Sequence, residues 1–162
     1  MTHLEGTPDA RGLRIVLVVS RYNDFVTDRL QAGALEALEE AGASDSDVTV
    51  MKVPGAFEVP LAARRAAETK RFDAVICLGC LIRGETPHFD YIASAASHAI
   101  AAASLATGVP MAFGILTTNS AEEAIARAGL RTTNKGWEAA MAAVEMATLY
   151  RQIGDDPPRR GA

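Results

Sequence analysis

The sequence predicts a three-layer α/β/α sandwich around a central four-stranded parallel sheet, and three observations carry that prediction. Four short runs are almost wholly apolar rather than alternating, the pattern of strands covered by helices on both faces. Between them lie helical patterns with recognisable start and stop signals. Strand and helix alternate without repeat or linker, which in right-handed βαβ units builds one sheet.

The elements follow in order. Leu13–Ser20 is the first strand, and Asn23 can cap a helix from Asp24 that ends where Gly42 supplies a left-handed residue. Val48–Val53 is the second, and Pro60 suits the first turn of a helix reaching about Thr69. Ala74–Leu78 is the third, followed by the loop Gly79–Asp90 and an Ala-rich helix that stops at Gly108. Met111–Leu116 is the fourth, and Ser120-Ala-Glu-Glu123 is a capping box for a short helix closed by Gly129. A last helix runs from about Lys135 to Ile153. These bounds give one domain over residues 13–153, with flexible tails over 1–12 and 154–162.

Composition narrows the function classes. A chain of 162 residues with 49% hydrophobic content supports one adequate core. A net charge of −4 argues against nucleic acid or an acidic membrane as main partner. No window reaches the roughly 18 apolar residues of a spanning helix, and Met1–Gly12 lacks the apolar centre of a secretory signal. Two cysteines make no disulfide framework, so a cytoplasmic location is the expectation. The Ala-rich helix permits close approach of a neighbour and a small sheet has edges to protect, both hints of an oligomer.

Each strand is followed by a loop with chemical potential. In an open α/β sheet, ligands sit outside the carboxyl ends of the strands. Tyr22, in Ser20-Arg-Tyr-Asn-Asp-Phe25, offers a ring for a planar ligand; the alternative is a core aromatic beside the cap Asn23. In Pro54-Gly-Ala-Phe-Glu-Val-Pro60 the backbone can read a heterocycle edge and Glu58 can accept from hydroxyls, unless Glu58 simply suits a first helical turn. Gly84, Glu85 and Thr86 can point backbone N–H groups and a hydroxyl at an anion, provided the Glu85 carboxylate faces away. Of three histidines only His88 stands at a strand end, where an imidazole can give and take protons; a surface or cap residue is the alternative.

After the fourth strand comes Arg127, suited to a bidentate grip on phosphate or to an ion pair with Glu123 one turn earlier. Phe113 is half core or a pocket floor, and Lys135 and Glu138 read as a surface pair or further polar groups. Cys77-Leu-Gly-Cys80 has a C-x-x-C spacing, but it lies in a strand rather than at a helix N-terminus, and no second pair completes a metal site. No metal is expected.

In this order and spacing, Arg21-Tyr-Asn23, Pro54-Gly-Ala-Phe-Glu58, Ile82-Arg-Gly-Glu-Thr-Pro-His-Phe-Asp90, Phe113-Gly-Ile-Leu-Thr-Thr118, Arg127-Ala-Gly129 and Asn134-Lys-Gly136 resemble lumazine synthase over about residues 14–152. The resemblance implies a flavodoxin-like fold and a transferase of riboflavin biosynthesis. That family condenses 5-amino-6-(D-ribitylamino)uracil with 3,4-dihydroxy-2-butanone 4-phosphate to 6,7-dimethyl-8-ribityllumazine, releasing phosphate and water without cofactor. It implies that Tyr22 stacks on the pyrimidine, where the family usually has Phe or Trp. Ala56, Phe57 and Glu58 would hold the uracil and ribityl chain with Cys80, Leu81 and Ile82. Glu85 and Thr86 match phosphate-loop positions, and His88 matches the proton-transfer residue. Phe113 and Arg127 would come from an adjacent subunit.

By the same resemblance the small-molecule site needs a homo-oligomer, a pentamer that in some members joins a sixty-subunit icosahedral shell, with riboflavin synthase as a partner. The connection Gly129–Lys135 has no insertion, which favours a shell, while Thr133 replaces a glycine common in shell formers. Two other readings are a binder that holds a flavin or lumazine without turnover and an inactive shell protein. The first loop lacks the Ser/Thr- and Gly-rich phosphate loop of flavodoxins, against the binder.

Overall fold

The computed structural model describes residues 1–155. Each apolar run forms a strand: β1 (Ile15–Ser20), β2 (Val48–Val53), β3 (Ala74–Ile82) and β4 (Met111–Thr118). The helices between and after them are α1 (Asp24–Glu40), α2 (Val59–Glu68), α3 (His88–Thr107), α4 (Ala121–Ala126) and α5 (Lys135–Asp155). The four strands are parallel in the order β2-β1-β3-β4, with Ile15 opposite both Val48 and Ala74. The side of the sheet on which successive strands are added therefore switches between β1 and β3, which places the topological switch point at their carboxyl ends.

Alternate residues of each strand serve opposite layers, as period-two geometry demands. Ile15, Leu17 and Val19 join Leu30, Ala34 and Val144 on the α1–α5 side. Val16, Val18 and Val75 join Val59, Ala63 and Ile100 on the α2–α3 side. The three-layer sandwich and flavodoxin-like architecture are as expected. Among the described residues no helix is long and apolar enough to cross a membrane.

Four details differ from expectation. First, β3 continues past Leu78 because its ladder with β4 runs unbroken from Gly79–Ile115 to Ile82–Thr118. Gly79 is a packing residue rather than a turn: a Cβ there would lie 3.1 Å from Ser20 Oγ. The loop shrinks to residues 83–87 and α3 starts at His88 instead of near Asp90. Second, Asn23 precedes α1 with φ 64° and makes no side-chain cap. Its amide donates instead to the Cys80 carbonyl at 2.9 Å, tying the β1 loop to β3.

Third, the N-terminal segment expected as a free tail is bonded to the body. Ala10 is fully buried and donates to the Ala41 carbonyl at 2.9 Å. Thr7 N–H donates to Thr148 Oγ1 at 2.8 Å, and Gln152 Nε2 to the Glu5 carbonyl at 2.6 Å. Gly6 lies so near α5 that a Cβ would overlap the Glu145 carbonyl. Fourth, α5 runs through Gly154 to Asp155, so these two residues are helical. The rest of the expected C-terminal tail, 156–162, lies outside the described residues. The end of α1 behaves as read: Gly42 at φ 93° closes it, with Ala43 N–H donating to Leu38 and Gly42 N–H to Glu39, a Schellman pair.

Candidate active site

The switch point opens into a groove of about 950 Å³. Backbone bonds from Arg21 N–H to Val53 at 2.8 Å and Tyr22 N–H to Pro54 at 3.0 Å bind the β1 and β2 loops together. That leaves the rings of Tyr22 and Phe57 standing 73% and 62% exposed at the groove wall. Exposed aromatic faces are costly unless something stacks on them. Phe57 belongs to a short 3₁₀ turn, Ala56–Glu58, that closes with Glu58 N–H donating to Gly55 at 3.2 Å. A Cβ on Gly55 would sit 3.2 Å from Glu58 Oε2, so glycine lets the carboxylate fold against the backbone.

Cys80, Leu81 and Ile82 form the floor, and Gly84, Thr86 and His88 the far rim. Gly84 has open space around its missing Cβ, so its main chain is approachable. Glu85 lies exposed in the same loop. His88 is exposed at the first residue of α3, a helix whose Pro87 cap contributes no capping side chain.

Phe113, Arg127, Lys135 and Glu138 are elsewhere. They line a second groove, about 350 Å³, between the free edge of β4 and α5. The Glu123–Arg127 ion pair, the alternative to a phosphate grip, does not form. Ser120 Oγ caps α4 by accepting from Glu123 N–H at 3.1 Å, and the Glu123 carboxylate turns back to accept from Asn119 N–H at 2.9 Å. Among the described residues Arg127 Nη1 donates only to the Glu123 carbonyl, at 3.1 Å, which leaves the guanidinium exposed on the groove. Lys135 and Glu138 do pair, at 3.0 Å, both exposed. Phe113 is 48% exposed.

Two features support the groove from behind. Asn134, only 2% exposed, donates to the Arg29 carbonyl at 3.0 Å and the Gly129 carbonyl at 2.9 Å, and accepts from Trp137 N–H at 3.0 Å. It fixes the turn between Arg127 and α5; the motif pointed to the position but not to burial. Gly136 meets the Leu30 carbonyl so closely that no Cβ fits. In that turn the left-handed backbone falls on Arg131, φ 46°, rather than on Thr133.

Cys77 and Cys80 lie in clusters on opposite sides of the sheet. Burial pushes their thiols up to about 12 and about 11. Both stay protonated and unpaired, so the C-x-x-C spacing is an accident of strand packing.

The sandwich and its switch-point groove define an α/β protein whose groove is flanked by two exposed aromatic rings, with an imidazole and exposed main chain at one end. Residues 12–151 match the family profile of 6,7-dimethyl-8-ribityllumazine synthase, and the chain belongs to that family. The 6,7-dimethyl-8-ribityllumazine synthase of Syntrophus aciditrophicus (strain SB) is 55% identical over 152 residues, covering 94% of this chain and 99% of the relative. That of Desulfatibacillum aliphaticivorans is 54% identical over 150 residues, covering 93% and 97%.

Proposed function

We infer that the chain performs the reaction of its family: it condenses 5-amino-6-(D-ribitylamino)uracil with 3,4-dihydroxy-2-butanone 4-phosphate to 6,7-dimethyl-8-ribityllumazine, releasing phosphate and water. It is a transferase of riboflavin biosynthesis acting on small molecules. In our reading the switch-point groove holds the pyrimidine against Tyr22. Ala56, Phe57 and Glu58, with Cys80, Leu81, Ile82 and Asn23, hold the uracil edge and ribityl chain. The main chain at Glu85 and Thr86 holds the phosphate, and His88 moves protons during imine formation and ring closure. Arg127 neutralises the departing phosphate, and Phe113 covers the pyrimidine; Lys135 and Glu138 stand beside them. Neither cofactor nor metal takes part. Holding two reactants together supplies much of the acceleration.

One observation carries this reading: the motif residues divide between two grooves on the same chain, His88 and Tyr22 in one, Arg127 and Phe113 in the other. Neither groove alone offers a stacking ring, a proton carrier and a phosphate cation. Two copies set head to tail bring one groove of each into a complete site. We therefore propose a cyclic homo-oligomer, a pentamer able to build an icosahedral shell with riboflavin synthase as partner, in the cytoplasm. The single catalytic domain is built on residues 13–153, with the segment from Glu5 bonded onto it and α5 continuing to Asp155. Exposed Leu61, Tyr91, Leu105 and Leu130 support extensive contacts between copies.

The test mixes the protein with both substrates and follows the fluorescent lumazine. A rate above the uncatalysed background is expected; a rate equal to background overturns the reading. Native mass measurement reports the assembly, and a monomer with full activity would exclude the shared site.

A further inference from the structure

Arg83 belongs to none of the roles above, yet its guanidinium is the most engaged charged group near the His88 turn. Its Nε donates to Asn119 Oδ1 at 3.1 Å, at the carboxyl end of β4. Its Nη1 reaches the Asp90 carboxylate at 3.2 Å, in the first turn of α3. Its flat face lies 4.5 Å from the ring centre of Phe89. Its backbone N–H donates to the Thr118 carbonyl at 2.8 Å, which extends the β3–β4 ladder by one step.

We propose that Arg83 is a positioning residue: it fixes the first turn of α3, and so the place of the His88 imidazole, against the end of β4. This rests on the reading of His88 as the proton carrier. The first turn of α3 has no side-chain cap, and residues 84–87 are exposed, so little else anchors His88 on its N-terminal side. Phe89 and Asp90, the two residues after His88, are the ones Arg83 grips. Only a guanidinium can offer a donor edge to two elements while stacking on a third group; a lysine would reach one partner at a time. The Arg83–Asp90 pair is about half exposed on both sides, so its worth to global stability is small and its effect is local.

The experiment is a double-mutant cycle in steady-state kinetics. His88→Ala is expected to lower kcat about tenfold, at or below the low end of the usual range for acid–base groups. Arg83→Met should lower kcat about three- to tenfold with either KM changed less than about twofold, and should cost almost nothing further in the His88→Ala background. Arg83→Lys should recover part of the loss. Asn119→Ala, which removes one partner and leaves the charge, should shift kcat in the same direction by less. If Arg83→Met fails to fold, by thermal melting, the Asn119→Ala variant and its cycle with His88→Ala decide. Full kcat in Arg83→Met, or in Asn119→Ala where it decides, beside an impaired His88→Ala overturns the positioning role and leaves His88 standing. Losses that add independently also overturn it. Full activity in His88→Ala overturns the proton-carrier reading and the positioning role with it.

Discussion

A mixture of two damaged proteins should be more active than either alone. His88 lines the groove at the switch point and Arg127 the groove at the β4 edge. If each site draws His88 from one copy and Arg127 from the next, the variants His88→Ala and Arg127→Ala complement each other. Among the described residues the Arg127 side chain makes one hydrogen bond, to the Glu123 carbonyl, and its backbone bonds survive truncation, so Arg127→Ala leaves the fold intact. What is lost is a charge-assisted contact with phosphate, about 1.5–3 kcal/mol, or about 10- to 150-fold in kcat/KM for the butanone phosphate. His88→Ala retains about a tenth of the activity. In a head-to-tail ring assembled at random from equal amounts, roughly a quarter of the interfaces pair an intact His88 with an intact Arg127. The mixture should thus reach about a quarter of wild-type activity, several times the average of the separate variants. Co-expression with two affinity tags, sequential purification and the lumazine fluorescence assay measure this directly. Activity equal to that average would refute the shared site. An Arg127→Ala variant with full activity would refute the phosphate role.

Gly136→Ala drives a methyl into the Leu30 carbonyl and should destabilise the α1–α5 contact by about 1–3 kcal/mol, read as a lowered urea midpoint. Asn134→Ala leaves the Arg29 and Gly129 carbonyls and the Trp137 N–H without their partner and should cost about 2–4 kcal/mol by the same measurement. With Cys80 near 11 rather than 9.0, its thiolate fraction at pH 8 is about a hundredfold lower, so iodoacetamide should label the folded protein at least that much more slowly than the urea-unfolded chain. The folded state holds both thiol protons more tightly than the unfolded state does. Their stabilising effect is therefore complete below about pH 9 and declines as the pH rises through 11 toward 12, which denaturation at graded alkaline pH would show.

The strands and the layer count follow from buried apolar runs because both faces of β1 and β3 are covered, so their residues had little choice but Val, Ile, Leu, Ala and Cys; the order β2-β1-β3-β4 is set by pairing that no single run reveals. The length of β3 was not legible, because a glycine in a sheet and a glycine in a turn look alike until the neighbour is known; here Ser20 and Ile115 crowd Gly79. Asn23 was legible as a helix start but not as a cross-strand tie, since its acceptor, Cys80, is 57 residues away. The alternative of an ion pair between Glu123 and Arg127 failed for a similar reason. A carboxylate three residues after a helix cap is drawn back to the free N–H groups and is not available one turn forward. The groove residues were legible as a set through motif order, whereas Arg83 was overlooked because its partners, Asn119 and Asp90, carry no pattern that points to it.

The segment around Thr7 also bears on how the molecule reaches its native state. The bond between Gln152 and Glu5 joins groups 147 residues apart, so making it early would close nearly the whole chain at a loop entropy of about 4 kcal/mol. It gains only a few exposed hydrogen bonds in return, so it seats after the sheet and α5 are in place. The strap is thus a late clasp: amides around it should exchange with solvent first on mild destabilisation, while those of β1 and β3 hold until the whole domain opens.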